Sequence, residues 1–130
     1  MALDWIWHNS RMKTVLTDTN IILWTFNGGP DFREAIDTAI PGAKVVIPSC
    51  VISELEKLNT TDSKAALQLC EKLDTANIGN GYADDMLLEA AKNGKIIATN
   101  DKELLKRLKK LNINALKIRE KSKLIATEGL

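Results

Sequence analysis

Five carboxylates in this chain stand where an acidic side chain needs a reason. Asp18 lies between two apolar runs in KTVLTDTNIILW. Glu54 sits in SCVISELEKL, one residue before Leu55 in apolar surroundings, whereas Glu56 reads as an ordinary surface acid. Asp84 and Asp85 open ADDMLLEAAKNG, and Asp101 follows the run KIIAT, two residues past Thr99. Taken singly, most have a plain structural explanation. Asp18 and Asp101 suit the residue that caps a helix start, and Asp84 and Asp85 suit the positively polarised first turn. Brought together, they have a different chemistry. Carboxylates crowded into one cleft repel and raise one another's pKa, so they persist comfortably only with cations between them. Hard oxygen ligands without sulfur or imidazole select Mg²⁺ or Mn²⁺. A divalent ion held in this way activates water and stabilises charge building on a phosphoryl group, which points to metal-assisted hydrolysis of a phosphodiester. Asn20 and Thr99 are short polar residues beside Asp18 and Asp101, fit to orient a carboxylate.

Whether these acids meet depends on the elements that carry them. Val15 and Leu16 with their neighbours make a short strand, and TNIILWTF a short helix stopped by Asn27-Gly28-Gly29-Pro30. DFREAIDTAI has apolar residues at spacings of three and four and ends at Pro41-Gly42. KVVIP and KIIAT are strands without a polar face. SCVISELEKL, DSKAALQLCEKL, ADDMLLEAAKNG and NDKELLKRLKKL are helices, the third with Gly94 just past its end. NALKI reads as the last strand and REKSKLIATEGL as a tail, while no strand is legible between Leu73 and Tyr82. The alternation predicts a single-domain α/β/α sandwich around a parallel sheet of four or five strands. Asp18, the base of the Glu54 helix, the start of the ADDM helix and Asp101 then share the carboxyl edge of the sheet, where such folds bind ligands. Asp18, Glu54, Asp84 and Asp101 are expected to converge there.

The chain of 130 residues suits one domain with a real core, and 45% hydrophobic with 27% charged residues is an ordinary soluble balance. No apolar run approaches the length of a membrane span, and MALDWIWHNSR lacks the layout of a signal peptide. Residues 1–12 read as an extension in which Trp5 and Trp7 dock on the body or on a partner, residues 13–124 as the domain, and 125–130 as a tail. Cys50 and Cys70 have no second cysteine at ligand spacing, and the one histidine, His8, lies in the extension. Zinc held by Cys and His is therefore not expected, and two buried thiols fit a reducing, cytoplasmic setting. Net charge is only +1, yet from Lys102 onward there are nine basic residues against three acidic ones. A basic flank beside an acidic body suits a polyanion and a cation together, or is simply a solvated lysine face.

The stretches TDTNIILW, VVIPSCVISELEKL, GYADDMLLEAAKNGKIIATND and ALKIREKSKL, spanning Lys13 to Leu124, resemble the PIN-domain ribonucleases. The match rests on separated acidic motifs in the right order and setting. GYADD and IATND give it the flavour of archaeal members and of ribosomal-RNA processing nucleases. The resemblance implies a Mg²⁺- or Mn²⁺-dependent endoribonuclease. Its catalytic acids would be Asp18, Glu54, Asp84 and Asp101, with Asp85 the runner-up at the third position and Asn20 and Thr99 in support. Toxin-type members act as dimers with a small antitoxin, so the implied partners are RNA, a second copy of the chain, and an inhibitory protein or a ribosome-assembly factor. For the dimer, the sequence offers the apolar face from Ile21 to Phe26, which would serve equally to fill a monomer's core.

Lys106, Lys110, Arg119 and Lys121 are the candidate RNA contacts. Lys106 and Lys110 share a helical face, and Arg107 is expected to point elsewhere. With aromatics at 5%, no stacking platform is expected. The main alternative function is a catalytically silent RNA-binding or protein-interaction module on the same fold. A phosphatase with an aspartyl nucleophile fits less well, because Asp18 is followed by Thr-Asn rather than by a second acid two residues on.

Overall fold

The computed structural model describes residues 13–127. The expectations for Trp5, Trp7 and His8 lie outside the described residues. Strand β1 (Thr14–Thr17) leads into helices α1 (Thr19–Thr25) and α2 (Phe32–Ala39). Strand β2 (Lys44–Pro48) is followed by α3 (Ser49–Leu58) and α4 (Thr61–Cys70), then β3 (Asp74–Ala76) and α5 (Ala83–Lys92). Strand β4 (Ile96–Ala98), helix α6 (Lys102–Lys110) and the pair β5 (Leu116–Arg119) and β6 (Lys123–Ala126) complete the order.

The sheet runs β3-β2-β1-β4-β5-β6. The first five strands pair in parallel, and β6 returns antiparallel to β5. The α/β/α sandwich is thus as expected, but the sheet has six strands and is mixed, where four or five parallel strands were read. β3 lies in the Leu73–Tyr82 stretch that showed no strand. Its Asp74 and Thr75 are exposed and it pairs with β2 alone, so no hydrophobic pattern marked it. β6 lies in the stretch read as a tail, and Thr127 continues the pairing by donating its N–H to the Ala115 carbonyl at 2.8 Å. Its turn has Glu120 at φ 55° and Lys121 at φ 58°, with Ser122 N–H donating to the Arg119 carbonyl. Two consecutive positive φ values normally announce themselves as Asn-Gly or Asp-Gly, and Glu-Lys does not.

Alternate strand residues divide between two cores, as the pleat requires. Val15, Ile47, Ile96 and Ala98 pack against Ile21, Ile22, Phe32, Ile36, Val51 and Leu55 on the α1–α4 side. Leu16, Val46 and Ile97 pack against Leu87, Leu88, Leu104 and Leu108 of α5 and α6. The inner residues of β1, β2 and β4 are each covered from one side or the other, which is why these strands read as continuous apolar runs. The residues of α1 offered for a dimer are taken up in the first core: Ile21 and Ile22 are fully buried, and Leu23 and Phe26 pack against it. Among the described residues, no helix is long and apolar enough to cross a membrane.

Candidate active site

Strand order reverses about β1: the chain builds outward through β2 and β3, then crosses back to lay β4 on the other side. Beyond the carboxyl ends of β1 and β4 is therefore the crevice that an open α/β sheet offers to a ligand. The register Thr17↔Ala98 brings Asp18 and Thr99 level there, and Asp18 N–H donates to the Ala98 carbonyl at 2.9 Å.

Asp18 is 7% exposed and fully engaged. Its Oδ1 accepts from Thr19 N–H at 2.8 Å, capping α1. Its Oδ2 accepts from the Thr99 hydroxyl at 2.6 Å and, more weakly, from Asn20 Nδ2 at 3.4 Å. Asn20 Oδ1 in turn accepts from Asn100 N–H at 2.9 Å, and Thr99 Oγ1 accepts from Asp101 N–H at 3.1 Å. The ends of two strands some eighty residues apart in sequence are thus stitched by one polar network around one carboxylate. Asp101 caps α6, its Oδ1 taking both Glu103 and Leu104 N–H groups. The ordinary explanation for each aspartate holds, and it does not exclude a second role.

A cleft of about 380 Å³ is lined by Asp18, Thr19, Asn20, Glu54, Asp84 and Asp101, together with Leu23, Tyr82 and Ala83. Acids from the ends of β1 and β4 and from α3 and α5 therefore face one space. Asp85 is turned aside: its Oδ1 accepts from Arg107 Nη1 at 2.9 Å, while Asp84 is 3.5 Å from the same nitrogen. Arg107 corrects the sequence reading, since it is the base of α6 that reaches the acids. Nothing in its spacing signals this, because it depends on α5 and α6 lying side by side.

Burial raises the Asp18 carboxyl above its ordinary value, and Asp101 adds to the rise, against the hydrogen bonds from Thr99, Thr19 and Asn20. Glu54, at the rim, is raised first by partial desolvation of its carboxyl and then by the charges of Asp18 and Asp84. Thr19 and Lys57 offset part of that rise. The nearby Cys50 thiol is also raised, by burial and then by Glu54 and Asp18, against two backbone hydrogen bonds.

The sign for stability follows from proton counts. Just above the ordinary carboxylate range, the folded chain holds protons on Asp18 and Glu54 that the unfolded chain has released. Their contribution to stability therefore falls as pH rises from the ordinary values, 3.8 and 4.5, through the raised ones. Asp18→Asn removes one of these groups. In chelator, its melting temperature is expected to exceed that of the parent by a few degrees at neutral pH, about the size of 1 kcal/mol in a domain of this length. The gap should narrow as pH falls from the raised value toward the ordinary one, because the folded parent's own carboxyl takes up its proton over that range. Melting curves across pH check this, and a variant less stable than the parent at pH 7 would count against net repulsion in the cleft.

Among the described residues, no group of three or more His, Cys, Asp or Glu side chains is gathered at metal-ligand spacing. Asp18 and Asp101 are turned toward backbone and hydroxyl donors. The donor set nonetheless fits a hard cation. Every acid in the cleft offers oxygen, and the Thr19 hydroxyl, buried in the same wall, is near enough to Glu54 to lower its carboxyl yet closes no short hydrogen bond among the described residues. Thr19 was missed in the sequence because it reads as the first residue of a helix.

The sequence-nominated bases separate. Lys106 lines a groove of about 530 Å³ with Lys102 and Lys109 of α6 and Lys117 of β5. Lys110 ends α6, at the far end from the acids. Arg119 and Lys121 stand at the β5–β6 turn, on the carboxyl edge of β5 beside β4. Tyr82, also passed over, is 81% exposed at the mouth of the acidic cleft.

Residues 15–121 match a family described as a PIN-like domain. Ribonuclease VapC4 of Methanocaldococcus jannaschii is 34% identical over 122 residues, covering 85% of this chain and 93% of that protein. The rRNA-processing protein fcf1 of Schizosaccharomyces pombe is 32% identical over 105 residues, covering 75% of this chain but 54% of that protein. Among solved structures, the PIN domain endonuclease Utp24 superposes with a TM-score of 0.78 at 27% identity, covering 90% of this chain and 92% of that one.

Proposed function

The chain belongs to the PIN-like domain family, and from that membership and the acidic cleft we propose that it is a Mg²⁺- or Mn²⁺-dependent endoribonuclease. The observation that carries the reading is the meeting of Asp18, Glu54, Asp84 and Asp101, from four separate elements, in one cleft at the point where strand order reverses. A nuclease in the family supports catalysis on RNA, and the hard-oxygen donor set supports the choice of ion.

In this reading Asp18, Glu54, Asp84 and Asp101 would hold the cation, with Asp85 drawn off by Arg107. When bound, the ion supplies Lewis-acid activation of water and neutralises charge developing on the phosphodiester. The chain's own contribution is to position. The Thr99 hydroxyl and Asn20 amide fix the rotation of the Asp18 carboxylate, and the Asp101 N–H to Thr99 bond ties that rotation to the start of α6. Arg119 and Lys121 on the carboxyl edge, with Lys106 and Lys110 along α6, attract the RNA backbone. A homodimer would have to form through surfaces other than the buried face of α1, and an inhibitory protein or ribosome-assembly partner would compete for the same cleft. The cellular setting is cytoplasmic.

The test is cleavage of single-stranded and structured RNA with Mn²⁺ or Mg²⁺, in parallel with chelator. Endonucleolytic products without a 2′,3′-cyclic phosphate are expected, because water rather than the 2′-hydroxyl attacks. Chelator should abolish the activity. Cleavage that persists undiminished in chelator overturns the ion's role, and no cleavage at millimolar ion overturns the enzymatic reading.

A further inference from the structure

Tyr82 is the most exposed large hydrophobic residue described in the molecule, at 81%, against 47% for Leu58 and 45% for Leu111. An exposed aromatic of this kind needs an explanation when it stands at a functional cleft. Tyr82 sits immediately before α5, two residues ahead of Asp84. It lines the acidic cleft on one side and, on the other, a second cavity of about 290 Å³. Glu54 and Ala83 also border both spaces, so the two adjoin at the tyrosine. The second cavity differs in chemistry. It offers hydroxyls from Ser49 and Ser53, the Asn80 amide and the Lys57 ammonium, with Glu54 shared as its boundary with the acids.

The segment that presents the ring is held in shape. Asn77 Oδ1 accepts from Gly79 N–H at 2.9 Å, and a Cβ at Gly79 would come within 2.6 Å of Met86 Sδ on α5. The loop therefore lies close on the helix that follows, at Gly79. The Tyr82 ring is open to solvent, and among the described residues its side chain makes no hydrogen bond.

We propose that Tyr82 is a stacking platform for one unpaired RNA base, and that the adjoining polar cavity receives that nucleotide while the next phosphodiester lies over the acids. The inference rests on the ribonuclease reading and narrows its substrate to RNA with an unstacked nucleotide at the cut. Every base has a π-face, so the platform selects strandedness rather than sequence. Lys57, beside the stacked nucleotide, meets its phosphate, and Ser49, Ser53 and Asn80 meet ribose or base edges. A base inside a duplex cannot reach the ring without unpairing, so paired RNA is disfavoured at this site.

The test is binding, read separately from cleavage. Asp18→Asn protein is titrated, with Mn²⁺ present, against a short single-stranded RNA carrying one 2-aminopurine, and against the same sequence in a blunt duplex. Single strands are expected to bind with quenching of the 2-aminopurine fluorescence. Adding Tyr82→Ala should weaken single-strand binding by about 5- to 150-fold and abolish the quenching, the range measured for loss of one base–aromatic stack. Tyr82→Phe should retain both. Tyr82→Leu, equally apolar but without a π-face, should lose the quenching. Equal affinity in the alanine variant overturns the platform, as does a phenylalanine variant as weak as the alanine one. Equal losses on duplex and single strand overturn the strandedness claim. Parent protein that cleaves RNA while Tyr82→Ala binds normally sinks the platform and leaves the nuclease standing. Tyrosine-dependent binding by a parent that cleaves nothing does the reverse.

Discussion

Asp18→Asn is expected to lower the rate of RNA cleavage by about 10³-fold or more, the scale on which removal of one charged group from a preorganised site acts. The substitution is chosen because it separates charge from structure. Asparagine keeps the volume of the side chain, and its carbonyl oxygen can accept from Thr19 N–H as Oδ1 does now at 2.8 Å. The helix cap and the packing of the 7%-exposed position are then preserved. What is lost is the negative charge at the junction of β1 and β4 and the ability of Oδ2 to accept from the Thr99 hydroxyl in its present form. Multiple-turnover cleavage with Mn²⁺ and a circular-dichroism melt on the same preparation check it. A folded variant with parental activity would remove Asp18 from the catalytic set.

Gly29→Ala is expected to destabilise the fold by about 2 kcal/mol, a fall of roughly 5–10 °C in melting temperature for a domain of this size. The cause is a close approach. Gly29 N–H donates to the Trp24 carbonyl at 2.9 Å, and this folds the end of α1 over its own tryptophan. A Cβ there would stand 2.5 Å from Trp24 Nε1 and 2.7 Å from the Trp24 carbonyl oxygen. The second contact is with backbone, so a rotamer change cannot relieve it. Trp24 is 8% exposed among Ile21, Phe32 and Ile36 on the first core, leaving the indole little room to retreat. Thermal unfolding at fixed pH measures the effect, and an unchanged midpoint would show that the Asn27–Pro30 turn yields freely. Gly28, where a Cβ would meet nothing within 4 Å, differs because its φ of 87° is the obstacle.

The sandwich and the placing of these acids along one cleft could be read from the sequence because both follow from alternation. Strands apolar on two faces must be covered twice, the crossovers must then be parallel, and Asp18 and Asp101, each just past a strand, fall on one edge. Glu54 and Asp84 follow once their helices are known to begin at that edge. What stayed hidden depends on contacts that no period encodes. β3 is three residues held by one neighbour, and β6 hangs on a Glu-Lys turn whose backbone conformation is unfavourable for both residues. Arg107 meets Asp84 and Asp85 only because two helices pack side by side. Tyr82 was discounted by a composition count, which measures how many aromatics a chain has and not where one of them stands.

The two outer strands carry a consequence for how the molecule behaves in a crowded solution. A sheet with a bare hydrogen-bonding margin invites copies to zip together, and proteins resist this with short or charged borders. On one side the border is β3, only three residues long, its Asp74 exposed and 3.7 Å from Lys44. On the other it is β6, reached through a charged turn and laid down antiparallel, with Leu124 tucked into the core. Neither margin is a long flat apolar ribbon. Concentrated protein should therefore stay dispersed by this route, and any self-association would have to come from helix faces or loops.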